Sequence, residues 1–90
     1  MTSLRKYYQD ILRKIFHKHL IAYKIEKGYT HEKMAEILVM DTRSYIDLDH
    51  DKVCCSALTF GRFLTYCCRE PVIFLNELRA AFEKGADEVA

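Results

Sequence analysis

The chain has 90 residues, half of them apolar, and a net charge of +1, which suits one small domain with a single hydrophobic core. No apolar run approaches the length of a membrane span, and no uninterrupted apolar segment follows the first residues as in a signal peptide. We therefore expect a cytoplasmic protein without membrane contact.

Residues 4–27 contain no glycine or proline and predict one long helix that ends at Gly28. Apolar side chains recur along it at steps of three and four, which predicts a buried stripe. The opposite side is basic and carries Arg5, Lys6, Arg13, Lys14, Lys18 and Lys24. This basic side is either a solvated face or a surface that lies along a phosphate backbone or an acidic partner.

Residues 31–50 predict two short helices separated by a break at residues 39–41. Thr30 is a suitable N-cap for the first helix, and Asp41 is a suitable N-cap for the second. Helix, tight turn and helix is the minimum needed to present one short helix to a partner. The best-known partner of such a motif is the DNA major groove.

The second of these helices has an inner and an outer side. Tyr45 and Leu48 are three residues apart, share one face and are predicted to point inward. The side chains left facing outward are those of Thr42, Arg43, Ile46 and Asp47, with Ser44 at the edge.

The helix-turn-helix resembles that of the Cro/CI-like repressor family, also called the XRE family, over residues 20–67. The matching residues are Lys24-Ile25-Glu26-Lys27-Gly28, Tyr29-Thr30-His31-Glu32, the small Ala35, the apolar pair Tyr45 and Leu48, and the acidic Asp49. The family usually has glycine in the turn where this chain has Val39.

The resemblance implies an all-α, lambda-repressor-like helix-turn-helix domain of about five helices with an extended first helix. Residues 1–19 would be the extension, residues 20–68 the family-like core and residues 71–85 a C-terminal helix. The implied function is sequence-specific binding of double-stranded DNA as a transcriptional regulator. The residues that would contact DNA are Thr42, Arg43, Ser44, Ile46 and Asp47 in the major groove, with Thr30, His31 and Lys52 at phosphates.

The charge distribution favours a different interpretation. Residues 1–27 carry seven bases and two acids, whereas residues 28–52, which hold the motif, carry three bases and six acids. Phosphate contacts dominate DNA affinity, so a DNA-binding protein usually gathers positive charge around its reading helix. The alternative is a protein-interaction module on the same scaffold, and the position of the basic first helix relative to the motif would discriminate between the two.

The last third of the chain predicts two more helices. Ser56 can cap a helix over residues 56–68, in which we expect Gly61 to allow close packing against another helix. Pro71 precedes a fifth helix over residues 72–84, which Gly85 is expected to end. Its apolar side chains would form either a homodimer surface or part of the monomer core, and the candidates for dimerisation are Ile73, Phe74, Leu78 and Phe82.

No residue pattern indicates catalysis, a metal or a cofactor. The four cysteines form two adjacent pairs, Cys54-Cys55 and Cys67-Cys68, a spacing that suits chelation poorly. We expect structural thiols, with one cysteine of each pair in the core. The sequence has no glycine-rich phosphate loop and no nucleophile motif with a base, so we expect no enzymatic activity.

Overall fold

A computed structural model describes the backbone of residues 2–89 and the side chains of residues 4–85. This part of the chain is all-helical and has no strand, which confirms the all-α prediction. The helices are α1 (Thr2–Lys27), α2 (His31–Leu38), α3 (Thr42–Asp49), α4 (Ala57–Arg62) and α5 (Pro71–Val89), with a π-helical turn (Phe63–Cys67) directly after α4. Among these helices, none has the length and apolar character needed to cross a bilayer.

One core joins all the helices. Its largest fully buried side chains come from α1, α2, α3, the π-helical turn and α5, and they are Tyr45, Phe16, Phe63, Phe74, Leu20, Met34 and Leu38. The rings of Phe16 and Phe63 lie 4.8 Å apart, and those of Phe63 and Phe74 lie 5.5 Å apart. The long α1 therefore packs at once on the motif helices and on α5.

Most of the predicted dimer surface belongs to this core. Phe74 is 1% exposed and Leu78 is 8% exposed, while Phe82 is half-buried with its ring 5.4 Å from that of Tyr8. Of the four candidates only Ile73 is exposed, at 58%. The prediction of a dimer surface is corrected for Phe74, Leu78 and Phe82, because α5 needs these side chains to close the core against α1.

Two glycines have the opposite roles to those predicted. Gly85 does not end α5, because the helix continues to Val89. A Cβ atom at Gly85 would lie 2.8 Å from Cε1 of Tyr7 and 3.0 Å from Cδ1 of Ile11, so Gly85 is where α5 approaches α1 closely. Gly61 is exposed and nothing lies within 4 Å of its Cβ position, so the predicted close packing there is wrong.

The predicted fourth helix over residues 56–68 is not a single α-helix. Ser56 caps α4 by accepting a hydrogen bond from Thr59 N, as expected, but the α-helix ends at Arg62. The following π-helical turn directs both Phe63 and Cys67 into the core. In a π turn the hydrogen bonds close over five residues instead of four, so the regular α-helix is interrupted after Arg62.

The turn between α2 and α3 depends on Val39. Its φ of 56° and ψ of 58° are left-handed, and Met40 N donates to Ala35 O at 3.0 Å while Val39 N donates to Glu36 O at 3.2 Å. This is the hydrogen-bond pattern with which helices commonly end, usually at glycine. A β-branched residue in the left-handed region costs about 1–2 kcal/mol, so the turn that leads into α3 is strained at Val39.

Replacing Val39 with glycine should stabilise the protein. The side chain is 59% exposed, so its removal loses little burial, and the gain is the relief of strain less the extra entropy of glycine in the unfolded chain. We expect a net gain of about 0.5–1 kcal/mol and a Tm higher by about 4 °C in thermal unfolding.

Val53→Gly is the matched control, since Val53 is also largely exposed but has no positive φ. That variant should unfold at the same or a lower temperature. A Val39→Gly protein that is less stable than the Val53→Gly protein would contradict the strained turn.

Candidate nucleic-acid interface

Both motif helices begin where the sequence predicts, and each is fixed by its N-cap. Thr30 Oγ1 accepts a hydrogen bond from Lys33 N at 3.1 Å, and Asp41 Oδ1 accepts one from Ser44 N at 2.7 Å. Hydrogen bonds from the Ser44 amide and hydroxyl hold the pKa of the Asp41 carboxyl below its ordinary value. The first turn of α3 is therefore held in place by contacts within four residues of the chain.

The inner side of α3 is as predicted, and the outer side is so in part. Tyr45 and Leu48 are buried, whereas Arg43 and Ser44 are exposed. The three other outward residues, Thr42, Ile46 and Asp47, are half-buried. Within the described part of the chain, the Arg43 side chain makes no hydrogen bond or ion pair, so its guanidinium is available to a partner.

The C-terminal end of α3 is anchored at what we call the Asp49 junction, formed by Asp49, Lys24, Tyr45, His17 and His31. Lys24 Nζ on α1 lies 2.7 Å from Asp49 Oδ1, and the Tyr45 hydroxyl donates to the same oxygen at 2.9 Å. On the other oxygen, His31 Nε2 of α2 lies 3.6 Å from Asp49 Oδ2. His17 Nε2 of α1 lies 2.7 Å from the Asp49 carbonyl oxygen. One residue thus joins three helices.

The carboxylate of this junction is charged despite its burial. The Asp49 side chain is only 9% exposed, and burial alone would raise its pKa. Hydrogen bonds from Lys24 and Tyr45 and the charge of Lys24 outweigh burial and hold the pKa of Asp49 below its ordinary value. Burial and the hydrogen bond to Asp49 raise the pKa of Tyr45, which therefore stays a hydrogen-bond donor.

A second set of ion pairs fixes α1 beside the loop that follows α3. Arg13 Nη1 lies 2.7 Å from Asp51 Oδ1 and donates to Asp51 O at 3.0 Å, while Arg13 Nη2 lies 3.5 Å from Asp10 Oδ1. Beside this triad is a surface depression of about 710 Å³, which we call the basic groove. Its lining includes the exposed cations Arg5, Lys6 and Lys52.

Part of the negative charge of residues 28–52 is taken up by contacts within the protein. Of the six acids in residues 28–52, Asp41 caps α3, while Asp49 and Asp51 pair with the bases Lys24 and Arg13 of α1. Three of the six acids are therefore used internally. The basic first helix lies beside α3, which is the arrangement that the sequence left as the test between its two interpretations.

The three residues predicted to contact phosphates differ in how accessible their side chains are. Lys52 is exposed in the basic groove, and Thr30 keeps an exposed hydroxyl that also caps α2. His31 turns Nε2 towards Asp49 and places its ring 5.7 Å from that of Tyr45, so only Nδ1 is left to reach a phosphate. A phosphate contact by His31 stays a prediction.

The Asp49 junction was not predicted from the sequence, nor was the position of Arg5 and Lys6 in the lining of the basic groove. The available signal was the spacing of Arg13, His17 and Lys24, at steps of four and seven, which places them on one side of α1. In the part of the chain with described side chains, no three His, Cys, Asp or Glu residues are arranged to hold a metal ion.

Removing the charge of Asp49 should destabilise the fold. Asp49→Asn leaves the half-buried Lys24 without a counter-ion, and breaking such a pair costs about 3 kcal/mol. Asp47→Asn is the matched control, because Asp47 lies on the same helix without an ion pair in the described structure, and it should change stability by less than about 0.5 kcal/mol. Urea unfolding at neutral pH measures both.

Asp49 should stabilise the fold only at pH values where its carboxyl group is ionised. Because the folded pKa of Asp49 is lowered, its contribution is present above the unfolded pKa of about 3.9 and is lost as the pH falls through the folded value. The gap between wild type and Asp49→Asn should therefore narrow below about pH 4. A gap that is constant from pH 7 to pH 3 would contradict a charged Asp49 junction.

Comparison with known proteins gives no match to a family model, a curated protein or a solved structure. The resemblance of residues 20–67 to the Cro/CI-like family therefore stays a hypothesis from the sequence. The features of the structure that bear on function are the arrangement of α2 and α3, the Asp49 junction and the basic groove.

Proposed function

We propose that the protein is a sequence-specific DNA-binding regulator of the helix-turn-helix type, with a lambda-repressor-like fold. In this proposal the first residues of α3 enter the major groove, and Arg43 makes the paired hydrogen bonds to guanine that arginine favours. Thr42, Ser44, Ile46 and Asp47 complete the reading surface. No chemistry is done, and no cofactor takes part.

The observation that carries the proposal is the pairing of a fixed motif with an exposed reading end. The N-cap at Asp41 and the Asp49 junction hold α3 at its two ends, while Arg43 remains exposed between them. A helix of eight residues is about 12 Å long, which is close to the width of the major groove. Side chains in the first turn of α3 can therefore reach bases, while side chains in the loop that follows α3 reach a phosphate.

The basic groove supports the same proposal. Arg5, Lys6 and Lys52 have no carboxylate within 4 Å among the described residues, whereas Arg13 is paired with Asp10 and Asp51. Unpaired cations beside the loop after α3 are what a phosphate backbone would contact. The number of such cations is small, so the non-specific affinity should be modest.

The second candidate is a protein-interaction module without DNA reading. It is favoured by an apolar surface at the start of α5, where Val72, Ile73 and Leu75 are all exposed, Val72 at 68%. Exposed apolar patches of this kind mark partner surfaces. In this reading the partner is another protein, or a second copy of the chain held through the part of α5 that the core does not use.

Titration of the protein against random duplex DNA at increasing salt separates the two candidates. If Arg5, Lys6 and Lys52 contact phosphates, log Kd should change with log salt with a slope of magnitude about 3. Each single replacement of these residues with glutamine should reduce that magnitude by about 1, because one fewer counter-ion is released.

Arg79→Gln is the charge-matched control, since Arg79 is exposed on α5 and its ion pair among the described residues is with the neighbouring Glu83. Its slope should equal that of wild type. Binding that does not depend on salt, or no binding at low salt, would contradict the proposal and favour the protein-interaction module.

A further inference from the structure

A second groove adjoins the basic groove. It has a volume of about 620 Å³ and an apolar lining that includes Leu4, Tyr8, Leu12 and Phe82. Arg5, Gln9 and Cys54 line both grooves, so the two share an edge. Together they form one continuous depression with a basic end and an apolar end, which we call the composite groove.

The basic end carries uncompensated positive charge. Four cations, Arg5, Lys6, Arg13 and Lys52, face or border it, and the only carboxylates paired there within the described chain are Asp10 and Asp51, both bound to Arg13. Arginine holds a carboxylate through two parallel hydrogen bonds, and Arg5 lies on the shared edge. An anionic group would therefore be held close to the start of the apolar end.

The apolar end has a formed floor and an open side. The rings of Tyr8 and Phe82 meet edge to face at 5.4 Å, while Leu4 remains 42% exposed at the rim. Covering apolar surface of this kind with a hydrocarbon chain is favourable, because it removes that surface from water. A hydrocarbon chain lying along Leu4, Tyr8 and Leu12 would bury surface that the folded chain leaves in contact with solvent.

We propose that the composite groove binds a small amphipathic anion, a medium-chain fatty acid, with its carboxylate at Arg5 and Lys6 and its hydrocarbon chain on Leu4, Tyr8 and Phe82. Each of its two parts, at about 710 and 620 Å³, has the volume of a small-molecule site, which usually spans about 300–1,000 Å³. The two ends of the groove bind different parts of this ligand. A neutral hydrocarbon chain would contact only the apolar end, and a short carboxylate would contact only the basic end.

Binding of such an anion would oppose DNA binding, a consequence that rests on the proposed function. The carboxylate would occupy Arg5 and Lys6, which are the cations assigned to the phosphate backbone. Because one cation cannot serve both anions, the protein would release duplex DNA as the fatty acid accumulates. The fatty-acid site itself does not rest on the proposed function and can be tested in the absence of DNA.

Displacement of the fluorescent fatty acid 11-(dansylamino)undecanoate from the purified protein, without DNA, tests the site. Decanoate should displace the probe at least about tenfold more tightly than either 1-decanol, which has the same chain without charge, or butyrate, which has the same charge with a short chain. Added salt should weaken decanoate and leave 1-decanol unchanged.

Two variants with matched controls locate the binding. Leu4→Ser and Arg5→Gln should each weaken decanoate by about fivefold or more, while circular dichroism shows an unchanged helix content. Ile25→Ser, an exposed apolar residue about 30 Å away on the same helix, and Arg79→Gln on α5 should bind decanoate as wild type does.

Three results would overturn the proposal: equal binding of decanoate and 1-decanol, equal losses in the variants and their controls, or binding to phosphatidylglycerol vesicles with none to monomeric decanoate. The DNA titration is a separate measurement. Decanoate binding without DNA binding would keep the site and remove its regulatory role, whereas DNA binding that decanoate leaves unchanged would keep the regulator and reject the competition.

Discussion

The buried carboxylate of Asp49 is the contact on which the arrangement of the motif depends. It accepts from Lys24 on α1 and from Tyr45 within α3, and it faces His31 on α2. An unpaired buried charge is costly, so the carboxylate and its partners are stable only when all three helices are in place. This coupling makes the orientation of α3 a property of the whole core rather than of the short turn at Val39.

The features that sequence reasoning predicted are those determined by near neighbours. The N-caps at Thr30, Asp41 and Ser56 each depend on an amide three residues away, and all three hydrogen bonds are present. The inward positions of Tyr45 and Leu48 follow from helical period alone. Local rules were sufficient for these caps and for the inner face of α3.

The features that sequence reasoning missed depend on contacts between distant segments. Whether a glycine permits close packing depends on what lies opposite, and only the fold places Tyr7 of α1 beside Gly85 and leaves Gly61 open. The pairing of Lys24 with Asp49 spans 25 residues and could not be read from either helix. The apolar side of α5 was correctly found, but its division between core and surface required the position of α1.

The charge around α3 also depends on contacts between distant segments, and it bears directly on the proposed function. Counted along the chain, the motif is acidic, yet Asp49 and Asp51 are neutralised by bases of α1, and Lys52 joins Arg5 at the basic groove. The net charge of the motif segment was therefore a poor guide to the electrostatic potential around α3, because it leaves out the charges of other segments that pack against it. The same pairing leaves Arg43 as the exposed cation of α3, and the reading of bases in this account depends on it.

The most direct test of that account is selection of bound duplexes from a random pool by wild type, Arg43→Ala and the control Arg79→Ala, followed by sequencing. The account predicts a recurring motif for wild type and for Arg79→Ala, and loss of a guanine preference at one position for Arg43→Ala with the other positions kept. Recovery of no motif with wild type, or of the same motif with Arg43→Ala, would contradict it.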